Sequence, residues 1–342
     1  MKEVYRILDA NFNRAREALR VAEDCGRFAL NDPAITSMAK HLRSDLQVIY
    51  ADMPVEEFIT CRDTPGDIGT AITSPMEPIR GGMSDVAVAA CKRLTEALRT
   101  IEEYSKVISP KWTTQVERMR YDGYTLEQRL MQRLMVARRF ADVKLYVLIT
   151  AHMCRGSVRE VARAALAGGA GAIQLREKEV PDCQLLALAA ELRELTDETG
   201  KLLIINDRPD IAALVAADGV HLGQDDLPIT EARKLLRPGA IVGKSSHSIE
   251  QAIAAVNEGA DYVSVGPMFA TATKDAGPIV GPELLREMSE RIKVPICPVG
   301  GITADNVGQL IAAGAQRVAV CAAVCAAGNP HAAAAAIAEK FH

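Results

Sequence analysis

Alternating polar side chains follow a candidate strand at residues 172–175. Gln174, Arg176 and Lys178 fall on one side of an extended chain, because successive side chains of a strand point to opposite faces. Two cations and an amide on one side form a receptor for a highly charged anion, since guanidinium and ammonium groups donate charge-assisted hydrogen bonds to phosphate. A salt-bridged strand end without a ligand is the alternative. The spacing favours a phosphate-binding site.

Two carboxylates follow the next two candidate strands. Asp207 ends the third strand and Asp226 follows the fourth, with Asp225 beside it. Carboxylates at neighbouring strand ends repel each other unless a cation lies between them. Mg²⁺ takes one or two carboxylates and completes its shell with water and phosphate oxygens. The sequence therefore predicts a Mg²⁺ site at Asp207 and Asp226, with Asp225 as an alternative ligand or a helix cap.

Small and hydroxyl-bearing residues follow three later strands. Ser245 comes after the fifth, where a hydroxyl caps a helix or donates to phosphate. Residues 266–277 have the composition of a loop that closes over an anion, and a disordered surface loop is the alternative. Gly300 and Gly301 follow the seventh strand, where a missing Cβ lets N–H groups approach a ligand. Because loops after strands seven and eight hold phosphate in many (β/α)₈ enzymes, a second anion site is expected there.

Short β-branched runs alternate with amphipathic stretches from about residue 143 onward. Eight runs are predicted to be strands, at residues 145–150, 172–175, 202–206, 219–222, 241–244, 262–265, 295–299 and 317–320. Helical stretches include residues 158–167, 184–199, 249–258 and 282–291. Strands that each precede a helix or short connection indicate an α/β fold, a (β/α)₈ TIM barrel over residues 143–342.

Residues 1–140 lack strand-like apolar runs and predict a mostly α-helical N-terminal domain. Residues 17–24 reappear in similar form at 96–103, which predicts either two helices paired across a pseudo-twofold axis or merely a common helical composition. Ser84 or Asp85 is the expected N-cap of the helix with the second copy. Residues 125–139 predict a connecting helix at the end of the domain.

Composition limits the classes of function. The chain has 342 residues, enough for two domains, and a net charge of −4, so it lacks the basic excess that nucleic-acid binding requires. No apolar run reaches the roughly 18 residues that span a bilayer, and the first residues do not resemble an apolar leader, so we expect a cytoplasmic protein without a membrane partner. The eight cysteines are expected to be buried reduced thiols. The oligomeric state stays open, and a homo-oligomer is compatible with the sequence.

Five motifs occur in order along the predicted barrel. They are Gln-Leu-Arg-Glu-Lys at 174–178, Ile-Asn-Asp-Arg at 205–208, Gly-Val-His-Leu-Gly-Gln-Asp-Asp at 219–226, Gly-Pro-Met-Phe with Thr-Ala-Thr-Lys at 266–274, and Gly-Gly-Ile-Thr at 300–303. In this combination residues 143–342 resemble the thiamine phosphate synthases. The resemblance implies a transferase that joins hydroxymethylpyrimidine pyrophosphate to hydroxyethylthiazole phosphate, through dissociative, Mg²⁺-assisted loss of pyrophosphate.

The resemblance also implies roles for individual residues. It assigns Mg²⁺ to Asp207 and Asp226 and the pyrimidine to Gln174. It assigns the pyrophosphate to Arg176, Lys178, Asn206, Ser245 and Lys274. It assigns the thiazole phosphate to the loops after strands six to eight, at Thr271, Thr273, Gly300, Gly301, Cys321 and Ala322.

The chain departs from the family pattern at two positions. Ala322 stands where the family usually offers a serine to the phosphate, so backbone N–H groups would have to serve there. Lys244 stands where the family commonly has an apolar residue. An extra cation would suit a pyrophosphate, and the alternative is that Lys244 points away from the site.

The N-terminal third resembles a domain fused to some thiamine phosphate synthases. Residues 9–24 and 62–67 carry the resemblance, which is to a hydroxymethylpyrimidine phosphate kinase-like domain. It implies that one chain makes the pyrophosphate from ATP and then consumes it. A helical dimerisation or docking module is the alternative, because no Gly-x4-Gly-Lys-Ser/Thr phosphate loop occurs. The polar residues near its loops and repeated helices are Arg14, Arg20, Arg62, Asp63, Arg80 and Arg99.

Two rival functions remain for the barrel. A thiazole tautomerase-like isomerase would need a general base, for which His247 is placed, but no pyrophosphate-bound Mg²⁺. A non-catalytic regulator would be expected to lose the two metal carboxylates. The presence of both cations and both aspartates favours pyrophosphate loss.

Overall fold

The computed structural model describes residues 1–30, 32–68, 80–271 and 278–341. The chain divides into two units, Met1–Leu134 and Met135–His342. The division falls inside one long helix, a few residues before the boundary at 140–143 that the sequence predicts. Thr273 and Lys274, in the predicted anion-closing loop, lie outside the described residues.

The first unit is built from helices, as predicted. They are α1 (Lys2–Asp24), a π-helical turn (Cys25–Ala29), α2 (Pro33–Ala51), α3 (Val55–Cys61), α4 (Met83–Ile108), a 3-10 turn (Pro110–Trp112) and α5 (Thr113–Ala141), which runs on past the unit boundary. Helix α1 places Leu8, Phe12, Ala15 and Leu19 at helical spacing, and all four are buried in the core of this unit.

The repeated segment forms similar turns of α1 and α4, which pack against each other. In each copy an arginine pairs with the acids three and four residues later, Arg20 with Glu23 and Asp24, and Arg99 with Glu102 and Glu103. Each buried glutamate takes a further arginine, Arg43 from α2 at 3.0 Å in the first copy and Arg120 from α5 at 2.9 Å in the second. The two copies therefore have the same ion-pair pattern.

Two helix starts differ from prediction. Gly82 is the N-cap of α4, so the assignment of Ser84 or Asp85 to that position is wrong. Asp85 lies in the first turn instead, where its carboxylate accepts a backbone N–H from just before the helix at 2.8 Å and faces the positive end of the helix dipole. Helix α5 begins well before the predicted start at residue 125, because buried residues such as Val116 extend its apolar face.

The second unit contains eight parallel strands and nine helices within the described ranges. The strands are β1 (Leu145–Ile149), β2 (Ala170–Leu175), β3 (Leu202–Asn206), β4 (Gly219–Leu222), β5 (Ile241–Ser246), β6 (Tyr262–Val265), β7 (Ile296–Pro298) and β8 (Val318–Val320). The helices are α6 (Val158–Ala167), α7 (Asp182–Thr199), α8 (Pro209–Leu214), α9 (Ile229–Leu235), α10 (Ile249–Glu258), α11 (Gly281–Arg291), α12 (Val307–Ala312), α13 (Ala322–Cys325) and α14 (Pro330–Ala338).

The strands close into the predicted barrel. From β1 to β7 each strand pairs with the next one along the chain, and β1 also pairs with β8, so the order runs from β7 down to β1 and then to β8. A parallel bridge between Val299 and Ala319 joins the two ends of the sheet. The (β/α)₈ prediction is confirmed, and the main differences are longer β2 and β5 and shorter β7 and β8.

Aromatic side chains fill the end of the barrel opposite the C-terminal strand ends. Phe140, from the last turn of α5, stacks on Tyr262 with ring centroids 4.3 Å apart. Tyr146 meets both rings edge-on, and all three side chains are buried. The other face of the strands carries aliphatic residues that pack under the helices. A cavity opens at the opposite end of the barrel, where the predicted site lies.

The cysteines are free thiols, but they are not all buried. Cys25, Cys91, Cys297 and Cys325 are buried, as predicted. The prediction is wrong for the other four, because Cys61, Cys154 and Cys321 are partly buried and Cys183 is exposed on α7.

Candidate active site

A cavity of about 400 Å³ opens at the C-terminal ends of the strands. The predicted site residues that line it are Gln174, Arg176, Lys178, Asn206, Asp207, Ser245, Thr271, Gly300, Gly301, Cys321 and Ala322. Asp226 lies behind this lining, in contact with Asp207. The structure therefore brings together every predicted site residue that it describes.

Two cations after β2 lie at one end of the cavity. Lys178 pairs through Nζ with Oδ2 of Asp207 at 3.0 Å and is half exposed. Arg176 is partly buried and forms no ion pair within the described ranges, so its charge faces the cavity without a carboxylate partner. The Arg176 N–H donates to the Ile149 carbonyl, and the Thr150 hydroxyl donates to the Arg176 carbonyl at 3.0 Å, so the backbone of Arg176 is held in place. An anion that binds here would contact Arg176, which has no carboxylate partner, and Lys178, which also pairs with Asp207.

The two carboxylates after β3 and β4 are in direct contact. Asp207 has a φ of 61°, a left-handed conformation uncommon for a non-glycine residue, so the fold holds this side chain in place at a conformational cost. Burial raises the pKa of Asp226, and contact with Asp207 raises it further against the opposing effect of the Gly223 N–H. Asp225 is exposed and is not part of this pair.

This donor set would suit a hard divalent cation whose other ligands come from water and substrate. No group of three histidine, cysteine, aspartate or glutamate side chains suited to a metal occurs in the part of the chain that the structure describes. Two touching carboxylates beside cations instead match the usual Mg²⁺ arrangement, in which water and substrate phosphate complete the shell. The carboxylate oxygens of Asp207 and Asp226 would be the protein ligands.

Gln174 presents an unsatisfied polar atom at the cavity. The side chain is buried, and its Nε2 donates to the Tyr146 hydroxyl at 2.6 Å. Its Oε1 has no hydrogen-bond partner among the described residues. Leaving a buried acceptor unpaired costs about 1–3 kcal/mol, so the site is matched to a ligand that brings a donor.

A hydrogen-bonded chain, here called the floor network, connects Gln174 to Tyr146, Tyr262, His221 and Ser264. The Tyr146 and Tyr262 hydroxyls lie 3.1 Å apart, and the Tyr262 hydroxyl lies 2.8 Å from Nδ1 of His221. Nε2 of His221 lies 3.2 Å from Oγ of Ser264. Burial raises the pKa of both tyrosines, so they stay neutral. The network fixes the orientation of the Gln174 amide.

Sequence reasoning missed four members of the floor network, all except Gln174. They are inward-facing polar or aromatic residues on β1, β4 and β6, and strand alternation alone would have marked them as barrel-facing. Gly243 makes room for them, because a Cβ there would overlap the Tyr262 ring and lie 2.5 Å from Nδ1 of His221.

Strand β5 supplies Ser245 to the cavity and turns Lys244 away from it. Oγ of Ser245 lies 3.0 Å from Nε2 of His221, so this hydrogen bond orients the hydroxyl. Lys244 is buried and does not line the cavity, since alternation places it on the helix side of the strand. Of the two alternatives for Lys244, the structure supports the one in which it points away. His247 lines the cavity and donates from Nδ1 to the Gly266 carbonyl at 2.6 Å.

Gly300 and Gly301 bring the backbone after β7 close to the loop after β6. Both have positive φ, 97° and 68°. A Cβ on Gly300 would lie 2.8 Å from Cα of Pro267, and one on Gly301 would lie 2.5 Å from the Ala270 carbonyl oxygen. Only glycine satisfies the conformation and the spacing together.

The Gly301→Ala variant is therefore expected to lower the free energy of unfolding by about 1–3 kcal/mol, the usual cost of a non-glycine residue in this region. Gly308→Ala is the matched control, because a Cβ at Gly308 meets nothing within 4 Å. Urea denaturation followed by far-UV circular dichroism measures both. Equal stabilities for the two variants would contradict the glycine requirement.

The loop after β8 brings Cys321 and Ala322 to the cavity. Ala322 is the first residue of α13, where backbone N–H groups have no acceptor inside the helix. The alanine thus lies where the expected serine would lie, with backbone donors in place of a hydroxyl.

In the first unit, three of the candidate arginines serve internal ion pairs. Arg20 and Arg99 belong to the repeated pattern of α1 and α4. Arg62 forms a two-pronged bond to the buried Asp9 carboxylate at 2.8 and 2.7 Å. These contacts explain the three side chains as supports of the helical fold. Within the described residues, no helix is long and apolar enough to cross a membrane.

Known proteins resemble this chain in both regions. The sequence model of the thiamine monophosphate synthase family matches residues 145–324, and that of the ThiD2 family matches residues 6–129. A thiamine-phosphate synthase of Nostoc sp. is 42% identical over 93% of this chain and 88% of its own length, and one of Gloeobacter violaceus is 41% identical over 96% and 94%. A solved thiamine phosphate pyrophosphorylase from Pyrococcus furiosus is 36% identical with a TM-score of 0.55, and the match covers 60% of this chain and 98% of that one. The chain belongs to the thiamine monophosphate synthase family and carries a ThiD2-family region at its N-terminus.

Proposed function

We propose that the barrel joins hydroxymethylpyrimidine pyrophosphate to hydroxyethylthiazole phosphate, giving thiamine phosphate and inorganic pyrophosphate. The observation that carries this is a single cavity with cations and paired carboxylates after β2, β3 and β4 and a close glycine turn after β7. Membership of the family supports the same reaction. We infer a cytoplasmic setting, because all the substrates are phosphorylated and the thiols are free.

The most demanding step, loss of pyrophosphate from the pyrimidine, takes place at the end of the cavity that carries Arg176 and Lys178. The bond between the pyrimidine methylene carbon and the pyrophosphate oxygen breaks, and its electron pair leaves with the oxygen. Lys178 pairs with Asp207 and Arg176 lines the same cavity, so their positive charge stabilises the anion as it develops. Asn206 and Ser245 line the same end and supply neutral hydrogen bonds. The described cations therefore favour the transition state over the bound ground state.

We propose that Asp207 and Asp226 hold Mg²⁺ when the pyrophosphate binds. A bound Mg²⁺ would supply additional positive charge to the pyrophosphate oxygens. Lys178 also contacts Asp207, so its ammonium group holds this carboxylate toward the cavity.

The pyrimidine fits the floor of the cavity. The unpaired Oε1 of Gln174 accepts a hydrogen bond from the exocyclic amino group of an aminopyrimidine. Since Gln174 Nε2 is already committed to Tyr146, the amide orientation is set before the substrate arrives. A ligand without that amino group leaves the acceptor unpaired and is rejected.

The thiazole phosphate fits the opposite end. Gly300 and Gly301 present backbone at close range, Thr271 adds a hydroxyl, and the N–H groups at Ala322 replace the absent serine. A phosphate held there places the thiazole nitrogen toward the pyrimidine carbon. The nitrogen lone pair then forms the new carbon–nitrogen bond, which completes the exchange.

The Lys178→Ala variant is expected to lose about 2–4 kcal/mol of transition-state stabilisation, as other enzymes do on losing one preorganised donor. The loss should fall on kcat and on kcat/KM for the pyrimidine substrate. The matched control is Lys201→Ala, which removes an exposed lysine just before β3 at the other end of the barrel. A change confined to the KM for thiazole phosphate would contradict the pyrophosphate role.

The isomerase alternative requires His247 as a base. Its Nδ1–H is committed to the Gly266 carbonyl, and the same cavity is lined by Arg176, Lys178 and Asp207, which an isomerisation would not use. The family comparison does not favour it either.

We further propose that the first unit phosphorylates hydroxymethylpyrimidine phosphate with ATP. The match of residues 6–129 to the ThiD2 family supports this. The test supplies the intact chain with hydroxymethylpyrimidine phosphate, ATP, Mg²⁺ and thiazole phosphate, and a parallel reaction receives the pyrophosphate form without ATP. Thiamine phosphate in both reactions supports a bifunctional chain. Product only in the parallel reaction would show that the first unit is a docking or structural module.

A further inference from the structure

Three thiols gather where the loops after β1 and β8 meet, beside the cavity. Cys154 follows β1, and Cys321 and Cys325 bracket α13 after β8. The Arg155 N–H donates to the Cys325 carbonyl at 3.3 Å, so the backbones that carry Cys154 and Cys325 run next to each other. Cys321 and Cys325 lie four residues apart in the sequence, whereas Cys154 is distant from both.

The thiol side chains of these cysteines also lie close to one another. Sγ of Cys154 lies 3.4 Å from the Thr150 carbonyl oxygen, and Sγ of Cys325 lies 3.2 Å from that of Leu148, two residues earlier in the chain. The Cys325 thiol also lies near the thiols of Cys154 and Cys321, close enough to affect the pKa of both. Two loops distant in sequence are thus joined at one cluster of sulfur atoms.

The electrostatics distinguish this cluster from the other buried cysteines. Contact with the Cys325 thiol lowers the pKa of Cys154 and of Cys321. Burial instead raises the pKa of Cys91 and Cys297 to about 12, which makes them inert. A partly accessible thiol of lowered pKa next to a second thiol is the usual setting of peroxide-sensitive cysteines.

We propose that Cys154 and Cys325 form a reversible modification site, at which hydrogen peroxide converts the two thiols into a disulfide. The Cys154 sulfur attacks the peroxide, whose O–O bond breaks to release water and leave a sulfenic acid. The Cys325 sulfur then displaces the hydroxyl as a second water, which forms the S–S bond. Two thiols are oxidised by two electrons and the peroxide is reduced by two, and a small dithiol reverses the change.

The disulfide would tie the loop after β1 to the loop after β8. Met153 on one side and Cys321, Ala322 and Ala323 on the other line the cavity, although Cys154 and Cys325 do not. The bond would pull Cys325 from the Leu148 carbonyl and displace the backbone donors at the thiazole phosphate end. This consequence rests on the proposed function, whereas the disulfide itself does not.

The test of the site uses mass spectrometry on the intact chain. The folded protein is treated with hydrogen peroxide, alkylated and digested without reduction. The expected result is a linked peptide pair that contains Cys154 and Cys325, abolished in Cys154→Ser and retained in Cys183→Ser, which removes the exposed cysteine of α7. A disulfide between other cysteines, or no loss of thiols, would overturn the proposal.

The test of the consequence compares kinetics before and after oxidation. Oxidised wild type should show about a tenfold or larger fall in kcat/KM for thiazole phosphate, because displacement of binding groups by an ångström costs up to about 10²-fold. Dithiothreitol should restore it, and oxidised Cys154→Ser should keep its reduced rate. An unchanged rate with the disulfide present would overturn the coupling to turnover. If the reduced enzyme made no thiamine phosphate at all, the proposed function would fail while the mass result still decided the site.

Discussion

Replacing Asp207 with asparagine is expected to lower kcat for thiamine phosphate formation by about 10²–10³-fold, the usual effect of removing one preorganised charge contact from a developing anion. The Asp207 carboxylate contacts Asp226 and pairs with Lys178 at 3.0 Å, so its loss removes a proposed Mg²⁺ ligand and releases the lysine. Asparagine is the suitable replacement because it tolerates the φ of 61° better than alanine does.

Steady-state kinetics across a Mg²⁺ titration measure this effect, and circular dichroism checks the fold. Asp210→Asn is the matched control, since Asp210 follows closely in sequence, pairs with Arg208 at 2.7 Å and does not line the cavity. The control should keep wild-type kcat. Full activity in Asp207→Asn, or equal losses in both variants, would contradict the metal-binding role.

Replacing Asp218 with asparagine is expected to destabilise the barrel by about 3–5 kcal/mol, the cost of removing one partner from a buried ion pair. Asp218 is 2% exposed and precedes β4. Its carboxylate accepts the Leu203 N–H at 2.9 Å and meets three guanidinium groups, those of Arg139, Arg193 and Arg237 at 2.6, 2.8 and 3.1 Å. The asparagine variant would leave these cations without their shared anion.

Urea denaturation of the intact chain followed by far-UV circular dichroism measures the loss. Asp197→Ala is the matched control, because Asp197 also pairs with Arg193, at 2.6 Å, but is largely exposed. A surface pair of this kind contributes about 0–1 kcal/mol. Similar losses in both variants would show that burial does not set the strength of the Asp218 cluster.

The ion pairs of Asp218 predict that the stability of the barrel depends on pH. Burial raises the pKa of Asp218, but the Leu203 N–H and the arginines lower it by more, so the pKa lies below its usual value. The stabilisation is therefore complete above the unfolded-state pKa of about 3.9 and is lost as the pH falls through the folded value. The difference between wild type and Asp218→Asn should stay constant near neutral pH and shrink below about pH 4. A stability difference that increased as the pH fell would contradict the lowered pKa of Asp218.

The barrel could be predicted from sequence because the short β-branched runs and the order in which they alternate with helical stretches indicate the same fold. β3, β4 and β6 begin and end where the β-branched runs do, while β7 is one residue shorter at each end and β8 begins one residue later than its run. The α4 cap was missed because a glycine took the place of a side-chain cap, which no local preference for serine or aspartate predicts.

The site could be predicted where strand ends carry charge. Arg176 and Lys178 follow from alternation, and Asp207 follows from the place of active sites at the strand ends of this fold. The floor network was less visible, since Tyr146 and Tyr262 are as compatible with an apolar core as with a polar one. The thiol cluster depends on closure of β1 against β8, a contact between residues far apart in sequence, and no local pattern reports it.

The most direct test of the central claim supplies the intact chain with hydroxymethylpyrimidine pyrophosphate, hydroxyethylthiazole phosphate and Mg²⁺. Thiamine phosphate and inorganic pyrophosphate are then quantified by chromatography. The proposed function predicts that both form in equal amounts and that omitting either organic substrate prevents thiamine phosphate formation. Thiazole isomerisation without pyrophosphate release, or no thiamine phosphate from a chain whose circular dichroism shows it to be folded, would contradict it.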